Sequence, residues 1–258
     1  MRLPLPSRKK LPKTAVTTSP IKVPALSGAD MAAVYHGQRR GGDFYDFIRV
    51  APHLVLFGLL DVAGRNKENR PIVIAAQKTF REAGHRLFSR DDINEAESMI
   101  ELSLEINRVI IDAAQVCSCP AFVGCYNETV GTVCYSNAGH TPALLRDHSG
   151  VTELPATGLP LGLFSHVTHD APTVALPPGA ALLLVSRGVT EAKRGREEYG
   201  LERVSETLRD STAQDAEQLC TDILNAVEQF THKPPTHNDV TALALVRSAS
   251  AMTASISG

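Results

Sequence analysis

Apolar residues along this chain change period in blocks, and the order of those blocks limits the fold more than any single motif does. Phe44–Val50 and His53–Asp61 are β-rich and meet at Ala51-Pro52, a hairpin signal. Helical spacing follows: Ile72, Ala76, Phe80, Ala83 and Leu87 recur after Pro71, which reads as a first-turn proline. A second amphipathic segment starts near Asp91-Asp92 and carries Ile93, Ala96, Ile100, Leu104 and Ile111 on one face. Phe122–Tyr126, Thr132–Ser136 and Pro142–Arg146 then read as a meander. Ala180–Val185, fully apolar after Pro177-Pro178-Gly179, reads as a central strand. Thr212 with Asp215 offers a capping box for a last helix striped by Leu219, Ile223, Val227 and Phe230, and Val240–Val246 closes the chain as a strand. Segregated strands and paired helices, without regular βαβ alternation, predict α+β layers.

Composition removes whole classes of function. Of 258 residues, 26 are Lys or Arg and 28 are Asp or Glu, so a net charge of −2 gives no electrostatic case for nucleic acid or an anionic membrane surface. Apolar runs such as Leu54–Leu60 fall far short of the ~20 residues that a membrane-spanning helix needs. Residues 1–25 carry Arg2, Arg8, Lys9, Lys10, Lys13 and Lys22, no acid and several prolines, with no apolar stretch resembling a secretory signal. They are expected to be a flexible basic arm, with docking to an acidic partner as the alternative. Residues 26–247 are expected to form one domain and 248–258 a frayed tail. The 5 cysteines follow no zinc spacing and are expected to be buried, reduced thiols of a cytoplasmic protein. Cys125 and Cys134 flank a turn at Asn127–Gly131, which would set them face to face across two strands.

Four places carry residue types that suit chemistry: Gly41-Gly42-Asp43-Phe44-Tyr45-Asp46, Asp61-Val62-Ala63-Gly64, Asn137-Ala138-Gly139-His140 and Asn238-Asp239-Val240-Thr241. Acids at strand ends beside glycines suit a hard cation, which takes oxygen ligands and close backbone approach. Each piece alone is ordinary turn chemistry. Taken in order, together with Gly158-Leu159-Pro160-Leu161-Gly162, Leu176-Pro177-Pro178-Gly179 and Gly188-Val189-Thr190-Glu191-Ala192 before Glu198-Tyr199-Gly200, the set resembles the PPM-type metal-dependent serine/threonine phosphatases, in their bacterial SpoIIE-like branch. The resemblance runs from about Asp30 to Arg247. It implies an α-β-β-α sandwich of two antiparallel sheets flanked by helices. It also implies two manganese or magnesium ions at one end of the sandwich, which activate a water against phosphoserine or phosphothreonine.

Carried over residue by residue, the resemblance puts the first metal aspartate on Asp43 and the second on Asp61, with Gly42, Val62 and Gly64 in the site neighbourhood. The third falls on Arg187, beside Gly188, and the fourth on Asn238, beside Asp239. The family's His-Gly after the second aspartate is replaced by Arg65-Asn66. Four carboxylates would balance two divalent ions; here Asp43 and Asp61 contribute −2, Asn238 nothing and Arg187 +1, for a sum of −1. A like charge at ~4 Å costs about 4 kcal/mol at an effective dielectric of ~20. The chain is therefore expected to hold no ion or one weakly bound ion, and to have no confident catalytic residue. It is expected to act as a pseudophosphatase that binds a phosphoserine or phosphothreonine regulatory protein. The rival is an active Mn/Mg-dependent protein phosphatase; a hydrolase of small phosphorylated molecules has no feature of its own. Two local alternatives stand beside this: Arg187 turned to solvent, and a one-residue shift making Asp239 the ligand. His140, Glu191 and Asp46 read as structural or supporting groups.

Overall fold

The computed structural model describes residues 23–36, 43–62, 66–90, 92–113, 118–232 and 239–249. Strands β1 (Ala29–His36), β2 (Asp43–Ala51) and β3 (Leu54–Asp61) precede helices α1 (Asn66–Phe88) and α2 (Glu95–Ala113). Next come β4 (Ala121–Asn127), β5 (Thr132–Ala138), β6 (Ala143–Asp147), β7 (Gly150–Leu154), β8 (Thr173–Ala175) and β9 (Ala181–Val185). A short α3 (Arg187–Thr190) leads to the hairpin β10 (Lys193–Arg194) and β11 (Glu197–Glu198), then α4 (Gly200–Asp210), α5 (Ala216–Thr231) and β12 (Val240–Arg247). The strands form one five-stranded sheet ordered β1-β12-β9-β6-β7 and a second ordered β2-β3-β4-β5-β8, antiparallel throughout.

Side-chain alternation makes each sheet apolar on both faces. On β3, Val55, Phe57 and Leu59 join Leu182, Leu184, Leu243 and Leu245 in the layer between the sheets. Leu54, Leu56 and Leu60 turn the other way and meet Ala76, Phe80, Met99 and Leu102 of the α1–α2 pair. The same split divides β9, whose Leu183 and Val185 pack with Leu219, Ile223 and Val227 of α5. The result is the expected α-β-β-α order of layers. The unbroken apolar run at Ala180–Val185 follows from this double burial, and β9 lies mid-sheet as its composition implied.

Several local expectations change. Pro71 lies inside α1, which begins a turn earlier at Asn66; the ring removes one backbone bond near the helix start and leaves the rest intact. The second helix begins at Glu95, where Asn94 Oδ1 accepts from Glu97 N at 3.2 Å. Asp215, not Thr212, caps α5, accepting from Gln218 N at 2.7 Å. The meander breaks after β5, because β6 crosses to the other sheet and pairs with β9 and β7. Strands β1, β7 and β8 carry no strong apolar alternation and do not stand out in the sequence. Cys125 and Cys134 are register partners on β4 and β5, both buried and unbridged. The basic arm as far as residue 22 and the tail from 250 lie outside the described residues. No described helix is long and apolar enough to cross a membrane.

One buried charge ties the α1–α2 pair to the sheet. Asp46, fully buried on the outer face of β2, takes Arg81 Nε at 2.6 Å and Nη2 at 2.9 Å. Gln77 Nε2 adds a third bond at 3.4 Å. Truncating Arg81 leaves a carboxylate with no countercharge in an apolar layer. Arg81→Ala is expected to lower the unfolding free energy by about 2 kcal/mol, less than a fully buried pair would lose because the guanidinium is half exposed. The double change Arg81→Leu with Asp46→Leu should lose less than Arg81→Ala alone. Urea denaturation of the three proteins checks this ordering.

Candidate functional site

Asp43 and Asp61 are brought together by the β2–β3 hairpin itself. Its register sets Asp43 opposite Asp61 at the end away from the Ala51–Leu54 turn. Both continue the rows of residues that face the inter-sheet layer, so both carboxylates sit where the sandwich opens. The other sheet closes this end. Ser186 N donates to Thr241 O at 2.9 Å and Thr241 N to Ser186 Oγ at 3.0 Å, which locks the end of β9 to the start of β12. Thr241 Oγ1 then donates to Asp43 Oδ2 at 2.7 Å, a bond from one sheet to the other.

Arg187 follows directly on Ser186, at the first position of α3. Its Nε lies 3.4 Å from Asp61 Oδ2 and 3.7 Å from Glu191 Oε1. The side chain is 51% exposed, against 13% for Asp61, so the pair lies at the solvent boundary of the site. Its terminal Nη groups donate no hydrogen bond among the described residues. Arg187 is thus paired with one of the two acids and not turned away from them. Asp239 is buried, and Tyr35 on β1 donates its hydroxyl to Asp239 Oδ1. Val62 and Gly188 are buried beside the site. Gly42, Gly64 and Asn238 lie outside the described residues. Asp46 serves the helix contact described above.

The electrostatics follow from burial and crowding. Burial pushes Asp43 up to about 7, against hydrogen bonds from Thr241 and Ser186 that lower it; repulsion from Asp61 and Asp239 adds to the rise. Asp61 is also raised, by burial first, with Arg187 pulling down and Glu191 and Asp239 pushing up. Asp239 therefore acts electrostatically on both aspartates, although its carboxylate is directed to Tyr35. Sequence spacing could not supply Tyr35, since β1 itself was not legible; Thr241 stood in a quoted motif, but without a role.

The two ions that the resemblance implies can be tested against these residues. A two-ion centre needs carboxylate oxygens converging on shared points. Here a guanidinium stands over Asp61, and Asp43 and Asp239 are each turned to a hydroxyl. Among the described residues, no group of three His, Cys, Asp or Glu side chains converges to hold a metal ion. As placed, the described side chains do not converge in the way a two-ion centre requires.

Three comparisons bear on the fold and family. The family model described as Stage II sporulation protein E (SpoIIE) matches residues 51–248. Protein IcfG of Synechocystis is 32% identical over 89 residues, which are 34% of this chain and 14% of that protein. The phosphoserine phosphatase RsbP of Bacillus subtilis is 27% identical over 156 residues, 58% of this chain and 36% of that one. The chain thus spans well under two thirds of either curated relative. Among solved structures, the RsbU and RsbW domains of Rv1364c from Mycobacterium tuberculosis superpose with a TM-score of 0.72 at 24% identity, covering 90% of this chain and 64% of theirs. That likeness establishes the sandwich.

His140 supplies a measurable signature of this end. Its Nδ1 faces Thr141 O at 3.1 Å, while the buried Nε2 has no hydrogen-bond partner among the described residues. Burial lowers its pKa from 6.5 to about 4, with the Thr141 carbonyl opposing and Arg187 reinforcing the shift. Between those values the unfolded chain binds a proton that the folded chain refuses, so this contribution is complete above about 6.5 and is lost as pH falls. Asp43 has the opposite sign, because its folded pKa is raised, so the test is a difference. Relative to wild type, His140→Phe should gain about 3 kcal/mol of stability between pH 7 and pH 4. A pH-independent difference in denaturation midpoints would refute the assignment.

Proposed function

The chain belongs to the SpoIIE family, and from that premise we propose that it works in serine/threonine phosphosignalling in the cytoplasm by recognising a phosphorylated regulatory protein, with metal-dependent hydrolysis weak or lost. The observation that carries this reading is the Arg187 guanidinium 3.4 Å from Asp61, at a position where the family's pattern has a metal-ligand aspartate. Arg187 also gives the reading its chemistry. Its side chain is half exposed, and the guanidinium can donate to a phosphoryl oxygen with the fork geometry that suits such groups. Asp61, Glu191 and Asp239 oppose a dianion there, so the phosphoryl contact supplies selectivity and the surrounding protein surface supplies most of the affinity. The outer faces of α1 and α2, where Ile74 is 45% exposed, are the proposed partner surface.

A second reading, an active Mn/Mg-dependent protein phosphatase, is favoured by one observation: Asp43, Asp61 and Asp239 still gather at one end of the sandwich. Turnover of a generic phosphomonoester in millimolar Mn²⁺ separates the two. The wild type should stay at the no-metal background, and Arg187→Asp should rise at least ~10-fold above it, equivalent to about 1.4 kcal/mol in the barrier. Wild-type turnover that disappears in Asp61→Asn would instead establish the active enzyme.

A further inference from the structure

We infer that the protein's own side chains hold the carboxylates at the open end of the sandwich, in the role that divalent ions would otherwise fill, with Arg187 as a fixed internal cation. Each acid has a different protein partner. Asp61 has the Arg187 guanidinium, with Nε at 3.4 Å. Asp43 has the Thr241 hydroxyl at 2.7 Å, and Thr241 is itself held by Ser186, whose Oγ accepts from Thr241 N at 3.0 Å. Asp239 has the Tyr35 hydroxyl. These partners come from three places in the fold: β1, the start of α3 and β12. Tyr35, Ser186 and Thr241 are therefore positioning residues for a site built without metal.

Two physical consequences follow from that arrangement. A hydroxyl bound to a carboxylate oxygen occupies a lone pair that an ion would need, and bonds to a charged acceptor are among the stronger ones. The acids are also turned to separate donors, whereas Mg²⁺ demands oxygens at ~2.1 Å around one point. Arginine cannot shed its proton, so its repulsion of an approaching cation persists at any working pH. The fold is then complete without metal.

Melting of the 258-residue chain, with Mn²⁺ or with chelator, tests the inference by stability and not by turnover. The wild-type midpoint should move by less than ~1 °C in either condition, which for a chain of this size is a few tenths of a kcal/mol. Arg187→Asp adds a carboxylate and removes the cation, so Mn²⁺ at ~100 times its dissociation constant should raise that variant's midpoint by about 5–10 °C. Adding Tyr35→Phe, which releases Asp239, should enlarge the response. If Arg187→Asp does not fold, Arg187→Met read by calorimetric Mn²⁺ titration serves, with saturable binding expected. A wild-type midpoint that rises with Mn²⁺ or falls with chelator overturns the inference, as does an absent Mn²⁺ response in the Arg187 variants. The inference shares its view of Arg187 with the proposed function, yet the two fail separately: a wild type indifferent to Mn²⁺ that also ignores phosphoproteins sinks only the function.

Discussion

Burial of both faces of both sheets is the constraint on which the rest of the structure depends. A sheet that is apolar on two sides must be covered twice, and here the inner faces cover each other while α1–α2 and α4–α5 cover the outer ones. The ends of the strands lie outside this two-sided cover. Polar groups collect there by default, because only at the ends can a strand residue point inward and still meet water or a charged partner. Asp43 and Asp61 are the last inward-facing residues of their strands, so the hairpin register alone makes them neighbours.

Neighbouring carboxylates in a partly desolvated mouth are unstable unless something offsets their charge. In this chain the offset is spread over several donors. A guanidinium meets Asp61, and hydroxyls from the opposite sheet and from β1 meet Asp43 and Asp239. The compensation is incomplete, as the elevated Asp43 shows. Ser186 and Thr241 are locked to each other within one sheet, and the Thr241 bond to Asp43 that holds this carboxylate also ties the two sheets together at this end. Site geometry and sandwich closure are therefore one structure, and Arg187 inherits its position from α3, which starts at that lock.

The legible part of the fold was the part driven by apolar period. The β2–β3 hairpin, the α1–α2 stripes and the β9 run could be read because each buries a continuous face. The β1 strand Ala29–His36 could not, since most of its side chains are only partly buried. Likewise β6 has the same local pattern whichever sheet it joins, and the choice depends on the residues of β9 that meet it. Cap positions shifted where a proline or a Thr-x-x-Asp pattern offered a local signal that a neighbouring residue satisfied better, as Asp215 did for α5.

By itself the sequence determined the layers and the β2–β3 hairpin that brings Asp43 to Asp61, while the resemblance implied an acid where Arg187 stands. These follow from periodicity and from ordered motifs, which are properties of neighbours along the chain. Only the tertiary structure decided where Arg187 points, that Tyr35 reaches Asp239, and that Thr241 crosses the sandwich to Asp43. The residues of the last two pairs lie 204 and 198 positions apart in the chain. Which side chains meet across such a separation is set by strand order and register between sheets, and no local pattern encodes that order.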